Sequence, residues 1–162
     1  MNPSESPPTI RPFQSRDHEA LRVLVVASFE GVTLEQNVED ALGPLHGHDW
    51  RWRKGRHVDE DVALDPEGIF VAESGGELVG AVTTRSDRGA GRGRIVNLAV
   101  EPRFRGCGLG RALIERSLDH FRTSGLEYAV IETMAQNAIG QRLYPACGFQ
   151  EIARQVHYAR RL

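Results

Sequence analysis

The stretch Val100-Glu101-Pro102-Arg103-Phe104-Arg105-Gly106-Cys107-Gly108-Leu109-Gly110-Arg111 reads as a strand that stops, a glycine-rich turn and the opening of a helix. Proline cannot supply a ladder hydrogen bond, so Pro102 ends the strand that arrives from Arg94. Leu109, Leu113, Ile114, Leu118 and Phe121 recur at helical spacing, which predicts a helix over about 108–123. Glycines between a strand and a helix start leave several backbone N–H groups free to converge at the positive end of the helix dipole. That is a cradle for an anion, best suited to a phosphate, because glycine allows close approach and positive φ. A tight connection with no ligand has the same pattern, since 17 residues of the chain are glycine. The spacing departs from G-x-G-x-x-G, and no Gly-Lys-Ser/Thr follows, which argues against a nicotinamide dehydrogenase and an NTPase.

Outward from this segment, Gly68 to Ser74 and Glu77 to Thr84 flank Gly75-Gly76, the signature of a tight hairpin. Arg85 to Gly93 is a polar turn leading into the strand Arg94 to Val100. Towards the N-terminus, Ile10 to Gln14 reads as a short strand. Ser15 caps a helix carrying Leu21, Leu24 and Val25. Thr33, with Gln36 three residues on, opens a second helix whose buried stripe is Leu34, Val38, Ala41 and Leu42, ended by Gly43-Pro44. Residues 45–66 read as a loop with some helix. Towards the C-terminus, Tyr128 to Thr133 is a strand and Asn137 to Ala146 a helix, and from Phe149 the chain alternates enough for one or two strands. The order β-α-α-β-β-β-α-β-α-β-β predicts one α/β domain over residues 10–162, a mixed, mostly antiparallel central sheet flanked by about four helices, after a flexible tail over 1–9.

The chain has 162 residues, 40% of them hydrophobic, enough for a single core. Twenty basic against 22 acidic residues, a net charge of -2, argue against a protein that coats nucleic acid or an anionic membrane. The basic residues are 19 arginines and one lysine, Lys54, which among Arg51, Arg53 and Arg56 reads as part of a solvated basic turn and not as a Schiff-base lysine. Cys107 and Cys147 make neither a disulfide framework nor a zinc site, so a reducing cytoplasm is the expected location. The opening MNPSESPPT has no apolar core of a signal peptide, and no run is long enough to span a membrane.

A second constellation follows the first by about thirty residues: Glu132-Thr-Met-Ala-Gln-Asn137-Ala-Ile-Gly-Gln-Arg-Leu-Tyr144-Pro-Ala-Cys-Gly148-Phe149. Val100-x-Pro102, Arg105-x-x-Gly108-x-Gly110, Asn137, Tyr144 and Gly148-Phe149, taken in that order, resemble the GNAT family of acetyl-CoA-dependent N-acetyltransferases. The resemblance covers roughly residues 68–162. It implies that Arg105, Gly106, Cys107, Gly108, Leu109, Gly110 and Arg111 wrap the pyrophosphate of coenzyme A, mainly through backbone N–H groups. It further implies that Leu98, Ala99 and Val100 bond the pantetheine amides like an added strand where this strand and Tyr128 to Thr133 splay apart. Asn137 would contact the same arm. Tyr144 stands where many members keep a tyrosine that protonates the departing thiolate, and Glu132 where some place a general base; a carboxylate bonded structurally at a strand end is the other reading of Glu132.

The implied reaction is direct acetyl transfer to an amine, on a small molecule or a protein, in a ternary complex. A GNAT-like module that binds an acyl-CoA without turnover is the alternative. Two residues depart from the usual pattern: Pro145 threatens to end or bend the helix at Tyr144, and Gly140 weakens that helix by up to about 1 kcal/mol relative to alanine. Asn97 is placed to orient substrate or water. Homodimers are common among relatives and are compatible with this chain.

Other clusters carry less. His46, His48 and His57, near Asp49 and Asp59, lack a helical ligand pair, so no metal is expected. Cys107 has no paired base for nucleophilic work. Trp50 and Trp52 suit either a substrate wall or a cover for the core. Charge is uneven: residues 85–122 hold nine arginines and four acids, +5, leaving -7 elsewhere, which suggests one polyphosphorylated ligand and a cationic acceptor opposite.

Overall fold

In the computed structural model, which describes residues 7–162, the chain folds as β1 (Thr9–Pro12), α1 (His18–Ser28), α2 (Leu34–Leu42), α3 (Trp50–Leu64), β2 (Phe70–Ser74), β3 (Glu77–Asp87), β4 (Arg92–Val100), α4 (Leu109–Thr123), β5 (Tyr128–Ile131) and α5 (Ala138–Ala146). The strands form one sheet in the order β1-β2-β3-β4-β5. Its first three pairings are antiparallel and β4 with β5 is parallel, as a mixed, mostly antiparallel α/β sheet requires. Gly75-Gly76 closes the β2–β3 hairpin, with Ser74 opposite Glu77.

Period-two alternation sends side chains to two cores. Phe70, Val82 and Ile95 join Leu113, Ile114 and Phe121 under α4. Val71, Ala81 and Ala99 join Leu21, Leu24 and Val25 of α1 and Val58 of α3 on the other face. Close approach of α4 depends on Gly93 of β4, because a Cβ there would stand 2.5 Å from the Phe121 ring.

The structure differs from the expectations above at several points: β3 runs on to Asp87 and β4 begins at Arg92, shortening the turn expected over 85–93, and α1 starts at His18 with Asp17, not Ser15, at its N-cap. Four further details matter more. Residues 50–64 form α3, a fifth helix, where the pattern suggested a loop. Asp49 caps it, accepting from Trp52 N at 2.9 Å, and its basic residues find acids on neighbouring segments: Arg51 with Glu30, Arg53 with Glu39 and His57 with Glu35. Lys54 is buried in this helix and does not lie on a solvated turn; its Nζ donates to Asn97 Oδ1 at 2.6 Å and lies 3.8 Å from the centre of the Phe29 ring. In α2 no residue is fully buried and Ala41 is exposed, because the helix meets α3 through these ion pairs and not through a broad apolar stripe. Finally, residues 150–162 run on with neither helix nor strand: the alternation is present, but no neighbouring strand receives it among the described residues.

The α2–α3 contact predicts a pH signature. Burial raises the Glu35 carboxyl, but hydrogen bonds from His57 and Thr33 outweigh it and hold the group at about 2. The same bond raises the His57 imidazole, against burial. A depressed carboxyl stabilises above its ordinary 4.5 and loses that contribution as pH falls towards 2. A raised imidazole stabilises fully below its ordinary 6.5 and loses that contribution as pH rises through its shifted value. Urea unfolding should therefore show wild type exceeding His57→Gln by more at about pH 5.5 than at about pH 8.5; a constant gap would contradict the pairing.

Candidate active site

β4 pairs with β5 only as far as Ile95 opposite Ile131, then continues to Val100 paired with β3 alone. A register shift between Thr83 and Thr84 of β3, whose partners are Asn97 and Ile95, leaves Val96 as an extra residue in β4. Bulges bend a strand and strengthen its twist. The sheet therefore opens between β4 and β5 beyond Ile95, beside the segment that contains Leu98, Ala99 and Val100. Leu98 and Val100 pack on the α4 side, whereas the Ala99 side chain is buried on the opposite face and leaves only its backbone to this opening.

Past β4, a short 3₁₀ turn (Pro102–Phe104) leads into the glycines. Gly106 and Gly108 have φ of +79° and +88°, a region that side chains rarely adopt, and no heavy atom lies within 4 Å of where either Cβ would stand. The turn thus requires glycine for its backbone and presents an unobstructed surface. The first bond closing the α4 ladder runs from Ala112 N to Gly108 O, so the amides of Leu109, Gly110 and Arg111 stand before the ladder begins. Arg105 Nε donates to Val100 O at 2.9 Å, folding the turn back on the end of β4. Leu109 is buried and offers its amide alone; Cys107 is exposed, and its thiol donates to Phe104 O at 2.8 Å.

Of the nine arginines between 85 and 122, Arg85, Arg92, Arg94, Arg103 and Arg122 pair with acids. Arg105 and Arg111 bond main-chain carbonyls instead, so positive charge uncompensated by acids remains at the glycine turn.

The second constellation is joined to the first by packing. Leu143 lies 3.3 Å from where a Gly110 Cβ would stand, and Arg111 Nη2 donates to Ala146 O at 2.8 Å, tying the end of α5 to the first turn of α4. Asn137 caps α5: its Oδ1 accepts from Gly140 N at 3.1 Å and its Nδ2 donates to Thr133 Oγ1 at 2.9 Å. A Cβ on Gly140 would meet Asn137 Nδ2, Thr133 Oγ1 and Tyr144 Cε2 at 2.9–3.0 Å, so the glycine that weakens the helix lets these three side chains meet.

Pro145 does not end the helix at Tyr144. α5 runs to Ala146 and closes through Gly148 N to Pro145 O and Phe149 N to Tyr144 O, with Gly148 at φ +89°. This is a Schellman motif, and the edge contact of Tyr144 with Phe149, 6.5 Å between ring centres, is its apolar clasp. Burial raises the Tyr144 phenol, and a hydrogen bond with Thr133 offsets part of that shift. Thr133 escaped sequence reading because a lone hydroxyl at a strand end has no periodic signal.

A model of the acetyltransferase (GNAT) family matches residues 34–149, most of the chain. The chain belongs to the GNAT family. Solved structures agree on the GNAT fold. PH1933 from Pyrococcus horikoshii OT3 is 20% identical with a TM-score of 0.73, covering 93% of each chain. PaiA N-acetyltransferase from Thermoplasma acidophilum, solved with coenzyme A, is 16% identical at 0.70, covering 90% of this chain and 91% of its own. The ribosomal-protein-S18-alanine N-acetyltransferase from Escherichia coli is 21% identical at 0.64, covering 91% and 80%. Among curated proteins, no sequence matches the chain.

Within this GNAT fold the remaining candidates separate. Glu132, exposed, accepts from Arg94 Nη2 at 2.6 Å at the end of β5. Asn97 is on β4 beside the opening, but its side chain is turned into a buried cluster with Lys54, Asp61 and Thr83, so its amide bonds inside the fold. Trp50 is buried, covering the core; Trp52 stacks on His48 at 3.7 Å between ring centres. The acids of α2 are largely answered by α3, which removes the simple picture of an unpaired acidic face awaiting a cationic acceptor. No helix among the described residues is long and apolar enough to cross a membrane.

Proposed function

We propose that residues 10–162 act as one acetyl-CoA-dependent N-acetyltransferase domain, moving acetyl directly to an amine in a ternary complex. The observation that carries this reading is the opening between β4 and β5, flanked by the Gly106–Gly108 turn and by the Tyr144 helix packed onto it. The turn fits a pyrophosphate: free positive-φ glycines, helix-start amides, and Arg105 and Arg111 beside them. When bound, acetyl-CoA supplies an acetyl group activated as a thioester.

The chain's residues then have two tasks. As the acceptor nitrogen bonds to the carbonyl carbon and the C–S bond breaks, Tyr144 donates a hydrogen bond to the sulfur that takes the electron pair. An ordinary phenol, near 10, is already a weaker acid than a thiol near 8.5, and burial widens that difference. Tyr144 therefore works chiefly by hydrogen bonding to the developing thiolate, with its proton held in place at neutral pH. The second task is to deprotonate the acceptor. For an amine resembling lysine this costs roughly 4–5 kcal/mol at pH 7, which gives Glu132 a role as base once Arg94 yields it.

Acetyl-CoA at a hundredfold above its Kd is expected to stabilise the fold by about 2.7 kcal/mol, read as a rise in Tm. Absence of a shift at saturation would remove the proposal. The Arg94–Glu132 ion pair favours a second reading, an acyl-CoA-binding module without turnover. Release of free thiol across a panel of amines separates the two.

A further inference from the structure

Arg94 stands on β4 directly before Ile95, the last residue of β4 to pair with β5, and its Nη2 donates across to Glu132 Oε2 at 2.6 Å. The pair therefore spans the two strands at the edge of the opening. Ile95 and Ile131 point into the α4 core, so alternation turns Arg94 and Glu132 to the other face, on which α1 and α3 pack. Glu132 takes up Nη2 alone. Nε, on the same edge of the guanidinium, is buried and has no hydrogen-bond partner among the described residues. A buried donor without a partner is rare in a folded protein and calls for a reason.

Arg85 supplies the contrast. It faces Arg94 directly in the β3–β4 ladder, and both its Nε and its Nη2 donate to Asp61 Oδ1, at 3.0 and 2.8 Å. Like charges directly opposite each other in a sheet are destabilising, so each guanidinium needs an anion of its own. The neighbouring acids are committed elsewhere: Asp61 is fully buried and also accepts from Thr83 and Asn97, and Glu35 is held by His57 and Thr33. Lys54, bonded to Asn97, adds a third cation to this face. Among the described residues, Glu132 is the acid bonded to Arg94, and the pair is exposed, with 43% of the Arg94 side chain and 65% of the Glu132 side chain open to solvent. Exposed ion pairs contribute little, so another carboxylate can replace Glu132 at small cost.

We propose that the acceptor is a small amino acid whose carboxylate seats side-on across Nε and Nη2 of Arg94 and displaces Glu132. This rests on the acetyltransferase reading above and names the class of amine that the site takes. A side-on arginine–carboxylate pair is the strong, directional form of the contact, and it gives the orphaned Nε its partner. Displaced, the Glu132 carboxylate takes a proton from the acceptor's ammonium group, and the nitrogen lone pair so freed forms the bond to the thioester carbon. Once protonated, Glu132 no longer neutralises Arg94; the bound carboxylate does. The acceptor thereby releases the base that activates it, whereas an amine without a carboxylate leaves Glu132 on Arg94. Glu132 directly precedes Thr133, which bonds Tyr144, so the subsite lies one residue along the chain from the partner of the group proposed for the departing sulfur.

Calorimetric titration of the full chain tests this with glycine, leucine, phenylalanine, β-alanine and γ-aminobutyrate, each against its own carboxamide. Titrations are run with and without coenzyme A, which carries no acetyl group to transfer. At least one acid should bind about tenfold tighter than its carboxamide. Arg94→Gln should remove that preference, and Arg94→Lys, which keeps the charge but loses the fork, should restore only part of it. Glu132→Gln should act in the opposite direction and tighten binding of the acid, because the competing carboxylate is gone. Equal binding of acids and carboxamides by the wild type, a preference that survives Arg94→Gln, or weaker binding of the acids by Glu132→Gln overturns the subsite. These measurements need no turnover, so they fail separately from the acetyltransferase reading, which the acetyl-CoA shift and thiol release decide. In thiol release, kcat/KM should favour the same acid over its carboxamide and Arg94→Gln should bring the ratio to about one; turnover that favours the carboxamide overturns the release of Glu132 by the acceptor.

Discussion

Replacing Asp61 by alanine is expected to destabilise the fold by about 3–5 kcal/mol, the larger part of the margin that keeps some domains folded. The carboxylate is fully buried on α3. Its Oδ1 accepts from Arg85 Nε at 3.0 Å and Nη2 at 2.8 Å, and its Oδ2 from Thr83 Oγ1 and Asn97 Nδ2, both at 2.7 Å. Alanine leaves the buried Thr83 and Asn97 donors short of an acceptor, each omission costing about 1–3 kcal/mol. It also removes a negative charge that helps Lys54 stay protonated against the burial that lowers its pKa. Asparagine preserves shape but turns an NH₂ towards donors, so it should rescue little. Urea unfolding of both variants measures the effect; a loss under about 1 kcal/mol for alanine would show that the cluster is not a unit. The exposed Arg103–Glu77 pair, by contrast, should contribute no more than about 1 kcal/mol.

That cluster also shows where sequence reading stops. The α4 stripe and the glycine turn were legible because their signals are local: helical periodicity in one case, glycine between a strand and a helix in the other. α3 was not, because Arg-Trp-Arg-Lys-Gly-Arg-His carries charge on every side and looks solvated. Its stabilising partners, Glu30, Glu35, Glu39 and Asn97, lie on other elements, and only the tertiary fold reveals that Lys54 is enclosed. Residues 150–162 illustrate the reverse limit. Their alternation is a strand signal, yet a strand exists only when an edge pairs with it, and no strand among the described residues pairs with this segment.

The candidate site divides in the same way. Gly106, Gly108, Asn137 and Tyr144 were readable from spacing and resemblance. The contacts that unite them, Leu143 on Gly110, Arg111 on Ala146 O and Thr133 between Asn137 and Tyr144, depend on how α4 and α5 pack. Pro145 looked disruptive from its position alone. The structure resolves it physically: a proline in the final turn removes one helix bond, while the Schellman closure at Gly148 and Phe149 replaces the stabilisation at that end.

Tyr144→Phe is expected to lower kcat about 10²-fold while leaving affinity for acetyl-CoA nearly unchanged. The ring stays in place in this variant, because the Phe149 contact and the close approach at Gly140 involve carbon atoms of the ring. Only the hydroxyl is lost, and with it the donor proposed for the departing sulfur. An interaction made chiefly as charge develops lowers kcat and kcat/KM together, whereas a merely structural tyrosine would move melting temperature or KM instead. Thr133→Val serves as the comparison, since it keeps the phenol but removes the hydroxyl bonded to it, and should cost less than Tyr144→Phe. Thiol release under saturating acetyl-CoA and acceptor measures both. If Tyr144→Phe turns over at the wild-type rate, the phenol has no part in the departure of the thiol, and the opening between β4 and β5 must provide for it otherwise.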